Sequence, residues 1–454
     1  MKTIFITSFE GIETKNVLRT PIFTTLLARS DICLVVFTKD RARLEYHKRE
    51  FSNPRILYEM VSSFPVRGLD LFFQWLKFTM LNTASTRLRR RMLYEIDGNT
   101  LRYYFGLAAS WFLARKFFIK ISRFLDWHLV ENSIYDAYFK KYKPDLVFLA
   151  NIFYEPEIHF LRSAKKYGVK TIGFINSWDK VTARCILRLL ADKFIALNDI
   201  VKKELIDFNH VPKKNIFVGG VPQYDDYFLG KRKSREEFFR EIGVDPRKKL
   251  ILYAPIGLAF SNTDWEMIDL LCALKAEGKL GADTEIIVRF HPYDRPSPEE
   301  IAKRPGLIYE HPGKVFSGKQ GEAWDWDMSF DELWHLGDTL RHADLLICYA
   351  SSLAIDAAIF DKPIININFE VVKNLPMIKS ATQFYKMTHY KKAIETGAIR
   401  LVENPQKLLE WAGRYISDPS LDRKEREKLV KTECQFMDGK SGERIGKFIL
   451  ENLN

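Results

Sequence analysis

Two short runs of this 454-residue chain hold side chains whose type and spacing suit chemistry on phosphate. In the first, the apolar strand Leu345-Leu346-Ile347 leads through Cys348-Tyr349-Ala350 to the pair Ser351-Ser352 and a helix that Asp361-Lys362-Pro363 stops. One serine is explained by helix capping, since its hydroxyl accepts from a free backbone N–H. Two adjacent hydroxyls, beside the free N–H groups and positive dipole end of a helix, also suit an anionic phosphate. The second run, sixty residues upstream, is Ile286-Ile287-Val288-Arg289-Phe290-His291-Pro292. A lone histidine is often structural. At a strand's carboxyl end it reads better as a donor to a nucleotide phosphate or sugar oxygen, and when protonated it offsets charge on a departing phosphate.

Four further places carry a functional and a structural reading side by side. Tyr253-Ala254-Pro255 ends another strand, where Tyr253 is a candidate nucleotide contact and Pro255 a simple strand terminator. Gly219 and Gly220 permit close backbone approach, as a hinge or a nucleotide-proximal loop. Glu10, in the loop after the first strand, and Asp179, in Asn176-Ser177-Trp178-Asp179-Lys180, are candidate general bases. Asp179 also suits capping of the helix that follows.

The elements that must position these residues alternate β-α-β. Strands are expected at 3–7, 32–37, 145–150, 170–174, 193–197 and 215–218, with helices near 17–27, 156–167 and 181–190 and a polar loop at 8–15. Such alternation builds a parallel sheet covered by helices. After a charged stretch at 230–237 a fresh series starts at 250–255 and runs through the His291 and Ser351 strands. The expected fold is therefore α/β, two tandem Rossmann-like domains facing across a cleft. The expected boundaries are 1–228, 229–430 and a terminal helix at 431–454 that packs back toward the first domain.

A hydrophobic share of 46% and a charged share of 28% are those of a globular protein. Five scattered cysteines without CxxC spacing argue for a reducing compartment and against a zinc site or disulfide framework. The amino terminus enters a strand at once, so a cytoplasmic protein without signal peptide is expected. The greasiest segment, 105–125, is interrupted by Arg115, Lys116, Lys120 and Arg123, which argues against a spanning helix. Of the formal net charge of +12, a net +7 lies between residues 65 and 130. That insertion, about 65–135, interleaves basic residues with aromatic ones such as Trp75, Trp111, Phe117 and Phe124. It reads as a buried helical insert with a solvated basic face, as an amphipathic element on an anionic membrane surface, or, least in keeping, as an RNA-binding patch.

Tyr253-Ala254-Pro255, His291-Pro292 and Ser351-Ser352 with Asp361-Lys362-Pro363 resemble the GT-B glycosyltransferases, and most of all enzymes of the CDP-glycerol glycerophosphotransferase type. Ser177-Trp178-Asp179-Lys180-Val181-Thr182, the run from Val218 to Asp225, and Asp438-Gly439-Lys440-Ser441-Gly442-Glu443-Arg444-Ile445 are similar to stretches of that group. The His-Pro and Ser-Ser pairs also resemble those of sialyl- and Kdo-transferases, which implies that His291 meets the phosphate and cytidine of a CMP-linked donor and Ser351 with Ser352 its phosphate. Glu10-Gly11 is only part of the acidic motif those enzymes carry. The implied activity is metal-independent transfer of a sugar or polyol phosphate from a CMP- or CDP-linked donor to a glycan or lipid-linked acceptor. No cofactor and no nucleic-acid partner are expected, and the place of action is the cytoplasm or the inner membrane face. A non-hydrolysing UDP-sugar 2-epimerase and a non-catalytic nucleotide-sugar-binding or scaffold protein are the alternatives.

Overall fold

The computed structural model describes residues 1–61, 66–292, 294–317 and 325–453. The chain divides into two compact units, one made of Met1–Phe228 and Cys434–Asn454, the other of Leu229–Glu433.

Unit 1 is a seven-stranded parallel sheet of β1 (Lys2–Thr7), β2 (Ile32–Thr38), β3 (Ile56–Met60), β4 (Leu146–Leu149), β5 (Lys170–Phe174), β6 (Lys193–Ala196) and β7 (Ile216–Val218). Its order is β3-β2-β1-β4-β5-β6-β7, so the direction of winding reverses between β1 and β4. Runs such as Ile32-Cys33-Leu34-Val35-Val36-Phe37-Thr38 are buried at every position, as strands covered by helices on both faces must be. β3 went unnoticed in the sequence because it is a half-exposed edge strand without a continuous apolar run.

Two helix expectations need correction. The polar loop at 8–15 is already helical from Gly11, and a π-helical turn, Thr14–Leu18, precedes a separate helix, Pro21–Ala28. Pro21 starts that helix because its first turn needs no N–H from it. The helix expected at 181–190 stops after Lys180–Ala183. Beyond it Leu187 N–H donates to the Asn209 side chain (2.6 Å) instead of to a helical carbonyl, and buried Arg188 bonds Asp126 and Glu155.

Among the described residues between β3 and β4, the helices Gly68–Thr79, Ala84–Asp97, Thr100–Leu113 and Lys116–Leu129 build the insertion, and a fifth, Asp136–Tyr142, leads into β4. Thr83 caps the second by accepting from Thr86 N–H, left-handed Gly98 (φ 61°) ends it, and Asn99 caps the third. A small core of Phe73, Leu76, Met80, Leu81, Ile119, Val130 and Ile186 joins the helices Gly68–Thr79 and Lys116–Leu129. Buried ion pairs anchor them to the rest of unit 1, with Arg188 between Asp70 (2.7 Å) and Asp126 (2.8 Å). Yet 17 of the 25 exposed large hydrophobic residues among those described fall between Leu69 and Leu129. The aromatic side of the insertion is thus largely uncovered, which corrects the reading of a buried insert.

Unit 2 is a second parallel sheet of β8 (Lys249–Ala254), β9 (Thr284–Arg289), β10 (Ile308–Glu310), β13 (Leu345–Cys348), β14 (Ile364–Ile367) and β15 (Ile399–Val402), beside an antiparallel hairpin of β11 (Lys314–Ser317) and β12 (Asp325–Asp327). Its order, β10-β9-β8-β13-β14-β15, is that of the doubly wound nucleotide-binding fold, reversing between β8 and β13. Ile251, Tyr253, Val288, Ile347, Ile365 and Leu408 lie in one core.

The terminal helix Ser441–Glu451 packs on Pro21–Ala28 within unit 1. The Asp225 carboxylate accepts from Ser441 N–H (3.0 Å) and Gly442 N–H (2.6 Å), capping that helix from 216 residues away. Two of the runs that carried the family resemblance therefore meet in a structural joint.

Candidate functional site

Ligands of doubly wound sheets sit outside the carboxyl ends of the strands, at the reversal of winding. In unit 2 that place is built by the loops after β8 and β13. Ser351 N–H turns back to Tyr349 C=O (2.8 Å), and its hydroxyl accepts from Leu353 N–H (3.2 Å). Ser352 is exposed and starts the helix Leu353–Ile359, its hydroxyl making no capping bond. Thus Ser351, rather than Ser352, caps this turn. Behind the turn lies Asn366, fully buried in β14, whose amide donates to Tyr349 C=O (2.9 Å) and accepts from Cys348 Sγ–H (3.2 Å). Tyr390 O–H donates to Ser351 C=O (3.3 Å). The serine turn is therefore held from behind by two buried side chains. An asparagine inside the apolar run Ile364-Ile365-Asn366-Ile367 was the signal that could have revealed the first.

His291 follows β9, half-buried, and meets Trp326 of β12 edge to face with ring centroids 5.8 Å apart. β8 lies between β9 and β13, so the two strands that lead to His291 and Ser351 run about 10 Å apart, two strand spacings. The loop after β8 is tied down by two buried carboxyls that sequence reasoning missed. Asp264 accepts from Ile256 N–H (3.3 Å) and Gly257 N–H (3.0 Å), and Asp294 from Leu258 N–H (3.2 Å). Burial, then the neighbouring Asp294, pushes Asp264 up to about 7. Burial pushes Asp294 up to about 6. Past β14, Glu370 accepts from Ser380 Oγ–H (2.7 Å) with one oxygen, while its other oxygen is buried without a partner. Glu370 follows β14, the strand that pairs with β13.

Tyr253 and the glycine pair lie in packed surroundings. Tyr253 is fully buried in the unit 2 core and its hydroxyl has no partner. It shares that core with Val288, Ile347 and Tyr349. Gly219 and Gly220 serve packing within unit 1, since a Cβ at Gly219 would lie 2.4 Å from Ile445 and one at Gly220 2.4 Å from the Ser441 hydroxyl. The φ of +95° at Gly220 adds a second reason for glycine.

In unit 1 the reversal lies between β1 and β4, and a polar cluster fills it. Asn151, after β4, donates from Nδ2 to Glu13 (2.7 Å) and accepts from Lys180 Nζ at Oδ1 (2.7 Å). Its N–H donates to both oxygens of Glu157 (2.8 and 3.0 Å). Burial, then the nearby Glu10, pushes Glu13 up to about 7, and burial raises Glu157 well above the carboxylate range. Lys180 is lowered by its burial. Asn176, 4% exposed, leaves both atoms of its side-chain amide unpartnered. The expected bases lie at the rim of this cluster. Glu10 is half-buried, its N–H donating to Glu13 (2.5 Å), and Asp179 is half-buried and accepts from Ser177 Oγ–H. Asp179 makes no side-chain cap to the helix it precedes. Glu13 was missed, although the Glu10-x-x-Glu13 spacing before a buried turn is a helix-start signature.

Residues 182–451 match the family described as CDP-Glycerol:Poly(glycerophosphate) glycerophosphotransferase. No curated protein matches the chain in sequence. Among solved structures, S. aureus MnaA in complex with UDP is similar at a TM-score of 0.53 and 14% identity, over 100% of this chain and 98% of that one. The UDP-GlcNAc 2-epimerase of Methanocaldococcus jannaschii is similar at 0.52 and 15%, over 99% and 100%. A histidine-to-alanine variant of the wall teichoic acid polymerase TagF is similar at 0.50 and 14%, over 100% and 89%. At such identities the likeness concerns the fold, two Rossmann-like units of the GT-B type.

Proposed function

The chain belongs to the CDP-glycerol:poly(glycerophosphate) glycerophosphotransferase family, and from that premise we propose that it moves a polyol phosphate from a CDP-linked donor to a hydroxyl of a surface-polymer acceptor. It is a transferase that uses a nucleotide-activated donor. In the proposed reaction the acceptor oxygen attacks the polyol-bearing phosphorus, the P–O bond of the diphosphate breaks, and CMP leaves. The acceptor proton passes to Asp179 or Glu10, and protonated His291 offsets the charge on the departing phosphate. Ser351 and Ser352, with the N–H groups behind them, hold the donor phosphate, and the free oxygen of Glu370 accepts donor hydroxyls. We place the charge stabilisation on these groups and expect no metal requirement, so turnover should survive EDTA.

The observation that carries this reading is the Ser351 turn at the winding reversal of unit 2, inside the matched residues, its carbonyls fastened by Asn366 and Tyr390. The test is a thermal shift with CDP-glycerol, because a ligand bound only by the folded form raises the unfolding temperature. The wild type should be stabilised by CDP-glycerol, and S351A/S352A and H291A should lose most of the shift and the CMP release. An unchanged shift and turnover in S351A/S352A would remove the donor assignment. Conversion of a UDP-sugar to its 2-epimer without acceptor would favour the epimerase instead.

The acceptor side belongs to a membrane. The insertion exposes Leu101, Phe105, Trp111, Phe117 and Phe124, each above 60%, among the basic residues Arg102, Arg115, Lys116 and Lys120. Apolar rings beside cations suit an anionic bilayer surface. Among the described residues no helix is long and apolar enough to cross a membrane.

A further inference from the structure

A cavity of about 300 Å³ opens among the helices Gly68–Thr79, Ala84–Asp97 and Thr100–Leu113, at the low end of the usual size of a small-molecule site. Its walls are Trp75, Phe78, Leu93 and Phe105, with the stacked pair Tyr94 and Tyr103 (4.8 Å). The first four are themselves exposed by more than 40%, so the cavity is continuous with the uncovered apolar face of the insertion. Its charged lining is mostly cationic, Arg89, Arg90, Arg102 and Arg184 against the one acid Asp97, beside the neutral Thr79, Thr86 and Asn99. Asp97 is already committed to Arg102 (2.9 Å). Arg90 Nη2–H donates to Phe78 C=O (3.2 Å), but its Nη1 is buried without a partner.

Arg89 and Arg184 have no side-chain hydrogen bond or ion pair among the described residues. Their mutual repulsion adds to the desolvation that lowers the pKa of Arg89. Two guanidinium groups without a side-chain ion pair, at the end of an apolar cavity and with only the carboxylate charge of Asp179 acting on Arg89, fit one kind of molecule, a hydrocarbon chain that ends in an anion able to bridge them. Phosphate does so, its oxygens accepting from the paired N–H groups of the guanidiniums.

We propose that this cavity binds the lipid phosphate of the acceptor, its hydrocarbon chain between Trp75, Leu93 and Phe105 and its phosphate on Arg89 and Arg184. Arg184 is five residues beyond Asp179, across the short helix Lys180–Ala183, and Arg89 senses the Asp179 charge. A phosphate there brings the head of the acceptor to the rim where the candidate base stands. The acceptor role rests on the transferase reading above, whereas the binding itself does not.

The test is calorimetric titration of the full chain with dodecyl phosphate below its micelle-forming concentration, with inorganic phosphate and dodecyltrimethylammonium as head and tail controls. The wild type should bind dodecyl phosphate saturably and the two controls at least tenfold more weakly. R89Q/R184Q should lose at least tenfold in affinity, the scale of charged hydrogen bonds. G106L should do the same by filling the cavity. The site of its Cβ is clear, Arg90 Cδ being nearest at 3.8 Å, so its unfolding temperature should not fall. Undiminished binding by either variant, or equal binding of dodecyltrimethylammonium, would overturn the site. The CDP-glycerol thermal shift in the same samples separates the two readings. A retained shift with no dodecyl phosphate binding overturns the lipid site and leaves the transferase, and binding of dodecyl phosphate without that shift supports the site and overturns the transferase.

Discussion

Glu13 illustrates how a side chain's chemistry is set by its surroundings. It is buried beside Glu10 and near the buried Glu157, and its carboxyl moves from an ordinary value of 4.5 to about 7. The folded form then holds a proton that the unfolded chain releases above pH 4.5, so this group lowers stability as pH rises from there to 7. At 1.36 kcal/mol per unit the loss is at most about 3 kcal/mol. E13Q cannot ionise and should lose less stability over that window. Urea unfolding of both proteins at pH 5 and pH 7 measures the difference, and equal pH slopes would show that the proton is not held at residue 13. Asn366 offers a second prediction. N366A strips a donor from buried Tyr349 C=O and should cost about 1–3 kcal/mol, and it should weaken the CDP-glycerol thermal shift although residue 366 lies behind the serine turn. A stability loss with an undiminished shift would make Asn366 a core residue only.

At the scale of elements, the terminal helix and the insertion solve opposite packing problems. The helix Ser441–Glu451 approaches Pro21–Ala28 so closely that a Cβ on Gly442 would stand 2.9 Å from the Ile22 backbone nitrogen, which cannot swing aside. G442A should therefore cost about 1–3 kcal/mol, the range of overpacking. G413A, on the helix Pro405–Ser417 with nothing near its Cβ, should instead stabilise by up to about 1 kcal/mol. Chemical denaturation of the two variants checks the contrast. The insertion leaves its apolar face uncovered, and vesicles containing phosphatidylglycerol should sediment with the wild type at low salt. F117S/F124S should reduce that binding, and high salt should weaken it because the cationic contribution is screened. Binding indifferent to both changes would remove the membrane surface from this face.

At the scale of the whole molecule, two windings of the same kind each place their loops at a reversal between first and fourth strand, β1 with β4 and β8 with β13. This much was legible in the chain itself. Apolar strand runs, the alternation with helices and the positions of the Ser351, His291, Glu10 and Asp179 loops depend on residues within a few positions of one another, and local periodicity records them. The edge strand β3 and the truncated helix at Lys180–Ala183 escaped because exposure blurs the first pattern and side-chain bonds from distant residues end the second. What only the tertiary structure decided is which polar groups are buried together. Asn151 meets Glu13 across 138 residues and Asp225 meets Ser441 across 216, so neither the shifted carboxyls nor the capped terminal helix has a local signature. The same holds for the glycines at 219 and 220, for Tyr253 turned into the core and for the arginines around the insertion cavity. Burial and charge pairing are sums over neighbours in space, whereas the order of residues along the chain specifies only neighbours in sequence.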